Sequence, residues 1–156
     1  MKNVIVFALG RARYAVELRW IREVFTVGHV TPVPHAPEAV AGVVNFRGAV
    51  MPLIDLDAVL GRRSGAQPAH AGESALLIEV EEMTAALRLT SVVEVATLRP
   101  APGGDPDLLV DSTGRQVPLI DPPELLARAR QAATAAAGQL ALALSRSDDP
   151  GGGDGT

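Results

Sequence analysis

G-V-V-N-F-R-G-A-V-M-P-L-I-D-L-D-A-V-L, residues 42–60, sets two β-rich runs on either side of a single Arg47-Gly48 step. Glycine tolerates the positive φ that a two-residue reversal demands, so residues 42–46 and 49–54 are predicted to form a hairpin. Side chains alternate faces along a strand. Val43, Met51 and Leu53 are therefore expected on one face and Val44, Phe46 and Val50 on the other; both sets are apolar, which predicts a hairpin buried on both sides. Arg47 is left as a charge at its tip. Asp55 reads as the cap of a helical turn over residues 56–60, accepting from the free amides of a helix start, and Gly61 suits its close.

Outward from this unit the chain supplies a second hairpin upstream. Residues 3–9 are nearly all apolar, residues 10–12 make a turn, and R-Y-A-V-E-L at 13–18 returns as a strand. Residues 19–24 (R-W-I-R-E-V) carry Trp20 and Val24 at helical spacing, which predicts a short helical turn before the β-branched run 25–33. Pro32, Pro34 and Pro37 mark a loop, since each fixes φ and removes a ladder donor. Downstream, residues 62–72 are small, polar and Pro/Gly-bearing and read as a surface connector.

After that connector the pattern begins again. Residues 75–80 and 84–89 form another hairpin, S-V-V-E-V at 91–95 stands where W-I-R-E-V stood, and V-M-P-L-I-D at 50–55 recurs as V-P-L-I-D at 117–121. A duplicated unit of about five short strands is too small for a sandwich and suits a small closed barrel, which leaves no open sheet edge. Two barrels side by side are expected, the first over about residues 14–72 and the second mainly over 73–121. Strands within 3–18 and a helix over 122–144 complete a unit of residues 1–144. The second copy is the shorter between its glutamate and its aspartate, and the shortening falls in R-P-A-P-G-G-D-P-D. Asp121, Pro122 and Glu124 form a strong helix start. Leu125, Leu126, Ala129, Ala133, Ala136 and Leu140 make an apolar stripe along the helix. Residues 145–156 have nothing to bury and are expected to be disordered.

Composition excludes several classes of function. With 156 residues and 47% hydrophobic content the chain can bury a core, it has no cysteine for disulfide or thiolate chemistry, and its net charge is −4. No basic block offers itself to phosphates, and 3% aromatics give few stacking platforms, so nucleic acid is not an expected partner. The first apolar run, residues 4–9, is too short for a signal peptide or a membrane span, so direct membrane insertion is not expected either. No phosphate loop, G-x-S-x-G or H-E-x-x-H appears. No catalytic residue, cofactor or metal is therefore expected. His29, His35 and His70 read as solvated loop residues, and Asp55 with Asp57 as a cap and its neighbour rather than an acid and a base.

The motifs nevertheless carry a resemblance. F-A-L-G-x-x-x-Y-A-V at 7–16, I-R-E-V at 21–24, P-x-x-P-E-A-V-A-G-V-V-N-F-R-G at 34–48 and V-M-P-L-I-D-L at 50–56 resemble the CheW-like coupling domain of bacterial chemosensory systems. The resemblance implies a mainly β fold of two SH3-like five-stranded barrels with a C-terminal helix. It also implies a non-catalytic cytoplasmic adaptor recruited to receptor arrays, joining the cytoplasmic tips of chemoreceptors (methyl-accepting chemotaxis proteins) to a CheA-type histidine kinase. Two alternatives belong beside it: a CheW-like protein that binds receptors but not the kinase, and a small ligand-binding barrel.

On that resemblance the receptor surface is expected at Ile21, Glu23, Gly42, Val44, Phe46, Arg47 and Gly48, with Val92 and Val93 on the opposite wall. Arg47 is expected to pair with Glu23. Trp20 is a candidate interface anchor, the competing reading being a ring that lids the barrel end. The kinase surface is expected around Leu98, Leu108 and Leu109. Two departures from the family's pattern, Thr90 in place of an aspartate and the shortened stretch after Leu98, predict a weakened kinase contact.

Overall fold

The computed structural model describes residues 1–61 and 68–147. Part of the expected surface connector, 62–67, and most of the expected tail, 148–156, lie outside the described residues. Among the described residues eleven strands and two α-helices follow in order: β1 Lys2–Leu9, β2 Ala12–Glu17, β3 Ile21–Thr26, β4 Val30–Thr31, β5 Val40–Phe46, β6 Ala49–Ile54, α1 Leu56–Val59, β7 Ser74–Val80, β8 Met83–Leu89, β9 Ser91–Pro100, β10 Leu108–Val110, β11 Gln116–Ile120 and α2 Pro122–Ser147. The predicted turn at residues 19–24 is a single 3-10 turn, Leu18–Trp20, and Ile21 to Val24 are strand instead. Their β-branched residues pair with β7 across a ladder, which a helix would forfeit.

The reversal at the centre of the chain forms as its sequence requires. Phe46 pairs with Ala49 across Arg47 (φ 51°) and Gly48 (φ 86°), so both central residues are left-handed, as in the type I′ turns that match strand twist. Val44 lies opposite Met51, which puts them on the same face and not on opposite ones. That face enters the core with Leu53, whereas on the other Val50 is 67% exposed and Ile54 is buried, so the hairpin is buried on one side toward its tip and on both only at its base. Asp55 caps α1, its carboxylate accepting from the amides of Asp57 and Ala58.

Strands are shared between the two halves. β1, β2, β11, β10 and β9 close into a barrel, and the second sheet runs β3-β7-β8-β6-β5-β4. Residues 74–89, assigned by sequence to the second barrel, thus lie with β3 to β6, while the N-terminal hairpin joins β9 to β11. The links explain this. Only Thr90 separates β8 from β9, too little chain for the reversal that would return β9 beside β8. The strand crosses instead and pairs with β1. Each repeated P-L-I-D strand then lies parallel to the second strand of the other copy's hairpin, β6 on β8 and β11 on β2.

The second sheet also returns on itself. β3 pairs with β7 and β4 with β5, and the two are halves of one strand interrupted at residues 27–29. Val27 breaks away because its backbone bonds Gly72 and Glu73 instead. Its counterpart β9 runs unbroken. The shortening of the second copy therefore lies partly in the strand and not wholly in the loop after Pro100.

Three apolar clusters account for strands that are apolar on both faces. Val4 and Val6 point into the closed barrel with Leu98, Leu109 and Val117. Ile5, Phe7 and Leu9, on the alternate face of β1, enter a central cluster with Ile54, Leu76, Ile78 and Leu87 of the other sheet. Leu125, Leu126 and Ala129 of α2 cover that same cluster. The Asp121 carbonyl accepts from the Leu125 amide at 2.9 Å, and Arg128 pairs with Glu124 at 3.3 Å. α2 continues through Gly138 to Ser147, beyond the expected end at 144.

Candidate interaction surface

Each sheet carries one bulged strand at the position of the repeated glutamate. Ile21 and Glu23 oppose consecutive residues of β7, so Arg22 is the extra residue of β3; Glu94 and Val92 oppose consecutive residues of β1, so Val93 is the extra residue of β9. A bulge sets two residues against one and breaks the strict alternation of faces. Val92 and Val93, adjacent in sequence, are accordingly both 39% exposed, and Val95 beyond them is 62% exposed. On β3 the equivalent exposed apolar residue is Val24, while Arg22 pairs with Glu79 at 2.8 Å.

The hairpin tip reaches β3 through side chains. The Arg47 guanidinium donates to Glu23 at 3.1 Å, as expected from the sequence, and stands 4.7 Å over the Phe46 ring. Phe46 packs on Phe25 of β3 with ring centroids 4.4 Å apart, and the Asn45 side chain accepts from the Gly48 amide at 2.9 Å, fixing the turn. Glu23, Phe46, Arg47 and Gly48 are thus brought together on one surface. Val92 and Val93 stand on β9, in the other sheet.

Other expected contact residues turn inward. Val44 is 1% exposed, and Gly42 is buried with φ 154°, its missing side chain making room for Val30 and Thr31 of β4 and not for a partner. Ile21 is half-buried against the central cluster. Leu98 and Leu109 fill the interior of the closed barrel, and Leu108 is half-buried, so the first two cannot form a kinase surface. What that end of the barrel exposes is the loop at residues 102–107. Trp20 packs against the central cluster, with the Arg19 guanidinium 4.6 Å over its ring, which is the arrangement of a lid.

Two polar networks are absent from the sequence reading. Arg88, buried on β8, donates twice to Glu73, at 2.9 and 2.6 Å, and lies 3.6 Å from Asp55, tying the start of β7 to the cap of α1. A lone cation inside L-R-L was the available signal, because a buried charge requires partners. Asp111 accepts from the Thr113 hydroxyl and from the amides of Thr113 and Arg115, and Arg13 approaches it at 3.6 Å. These bonds, the Thr113 hydroxyl foremost, hold its carboxyl below the ordinary range. D-S-T-G at 111–114 is the matching turn signature.

A shallow cleft of about 140 Å³ between α1, β11 and α2 is lined by Leu56, Leu60, Asp107, Asp121 and Glu124. Small-molecule sites begin at about 300 Å³. Burial and the neighbouring Glu124 and Asp107 push the Asp121 carboxyl up. Among the described residues no group of His, Asp or Glu is arranged to hold a metal ion, and no helix is long and apolar enough to cross a membrane.

A family model described as the CheW-like domain matches residues 3–130. Over 97 residues, 62% of this chain, the sequence is 32% identical to "Chemotaxis protein CheW" of Rhizobium meliloti; the chain spans 61% of that relative's length. It is 30% identical to "Protein FrzA" of Myxococcus xanthus over 143 residues, covering 83% of this chain and 88% of that one. Among solved structures the fold is similar to that of the scaffolding protein TtCheW from Thermoanaerobacter tengcongensis, with a TM-score of 0.62 and 23% identity over 77% of this chain and 88% of the other.

Proposed function

This chain belongs to the CheW-like domain family, and from that premise we propose that it is a non-catalytic cytoplasmic adaptor linking chemoreceptor tips to a CheA-type histidine kinase. The observation that carries the reading is the match across residues 3–130, which spans both barrels and their shared core. The surface formed by Glu23, Phe46 and Arg47, together with the exposed Val92 and Val93, suits a receptor tip. Such a tip is a helical hairpin, and binding it calls for apolar anchors beside a few charges over about 600–800 Å² per partner. The adaptor unit is assigned to residues 1–144 as a whole, because neither sheet is complete without strands from both halves.

The receptor-only alternative is favoured by one observation. With Leu98 and Leu109 interior, the kinase contact at that end of the barrel falls to the exposed loop 102–107, where Pro102 and Pro106 cannot donate to an intermolecular ladder. Mixing the purified chain separately with a receptor hairpin fragment and with the kinase's regulatory domain decides between the two. Binding to both establishes the coupling adaptor, binding to the receptor alone establishes the array spacer, and binding to neither overturns the proposal.

A further inference from the structure

Glu94 of β9 has a partner that corresponds, in the other sheet, to Arg47. Glu23 follows the bulge residue Arg22 and binds the tip of the β5–β6 hairpin; Glu94 follows the bulge residue Val93 and accepts from the Ser112 hydroxyl, at 3.0 Å, in the turn between β10 and β11. Both tips precede a P-L-I-D strand. The β9–β10 ladder covers only Arg99 and Pro100, so toward Ser91 the strand is held by its ladder to β1 on one edge. Among the described residues, Ser112 is the polar contact that reaches this stretch from the hairpin on the other edge.

Ser112 itself is exposed, yet its loop is rigidly built. The Asp111 carboxylate accepts from the Thr113 and Arg115 amides, and the Asp111 amide donates to the Arg115 carbonyl, so the hydroxyl is presented from a preformed turn. We infer that Ser112 is a positioning residue, which through Glu94 holds the β9 bulge in the form that exposes Val92 and Val93 together. This rests on the reading of those valines as part of the receptor surface. A bulge left free on one edge samples the ordinary alternation, in which one of the two valines turns inward, and a partner then selects the competent population only.

The full chain, Ser112→Ala, Ser112→Thr and Glu94→Gln are compared by amide hydrogen exchange and by equilibrium binding of a receptor hairpin fragment. Ser112→Ala is expected to speed exchange at residues 92–95 and to weaken hairpin binding, each by about threefold, the loss of one exposed hydrogen bond. Ser112→Thr keeps the hydroxyl and restores both, and Glu94→Gln, which weakens the acceptor, shifts both in the direction of Ser112→Ala. Unchanged exchange in Ser112→Ala overturns the tether, and faster exchange with unchanged binding overturns the positioning role. A wild-type chain that does not bind the hairpin overturns the receptor reading instead, a result distinct from both.

Discussion

Arg47 occupies a left-handed position that costs a non-glycine residue about 1 kcal/mol, and its contacts with Glu23 and Phe46 return a similar amount at an exposed site. Arg47→Gly is therefore expected to melt near the wild-type temperature, while Arg47→Ala, which loses the contacts and keeps the strain, falls by about 1 kcal/mol. If the guanidinium touches the receptor, both variants lose hairpin binding alike; normal binding by the glycine variant would confine Arg47 to a structural role. Asp111 supplies a second residue-level test. Its folded pKa is depressed, so its ionised form stabilises the fold above the unfolded carboxylate value of about 3.9 and that contribution is lost as pH falls through the lower folded value. Asp111→Asn is expected to cost about 1–3 kcal/mol at pH 7. Urea titrations across pH should show the gap between the two proteins closing below about pH 4.

β4 is two residues long, and the second sheet closes through it. A Cβ at Gly42 would stand 2.5 Å from the Val30 side chain and 3.0 Å from the Thr31 carbonyl oxygen, so Gly42→Ala forces β4 away from β5. A loss of about 2 kcal/mol is expected, with faster amide exchange at Val30 and Thr31 while β10 and β11 stay protected. Arg88 joins β8, the start of β7 and the cap of α1. Arg88→Met strands the Glu73 and Asp55 carboxylates in a buried setting and is expected to lower stability by about 3–5 kcal/mol in urea melts. A loss under about 1 kcal/mol would show that the carboxylates reach water.

At the scale of the molecule, exchange of hairpins makes the barrels interdependent: the central cluster draws on β1, β2, β6, β7, β8 and α2 together, and the Tyr14 hydroxyl donates to Asp57 across it. One cooperative unfolding transition is expected, with Trp20 fluorescence and far-UV dichroism coinciding, and a fragment of residues 14–72 should not fold alone. The sequence by itself determined most of the strands and hairpin turns, the α1 cap and the duplication, because face alternation, left-handed turn positions and helix capping act within a few residues, but not the strand at Ile21 to Val24, whose ladder to β7 is long-range. It also held the family resemblance and the Arg47–Glu23 pair. Only the tertiary structure decided which hairpin joins which barrel, since a one-residue link at Thr90 reveals its crossing only when β1 is there to receive β9. The same holds for burial. Val44, Leu98 and Leu109 belong to strands whose apolar pattern is identical whether a face meets solvent or a second sheet, and long-range packing alone assigned them to the interior.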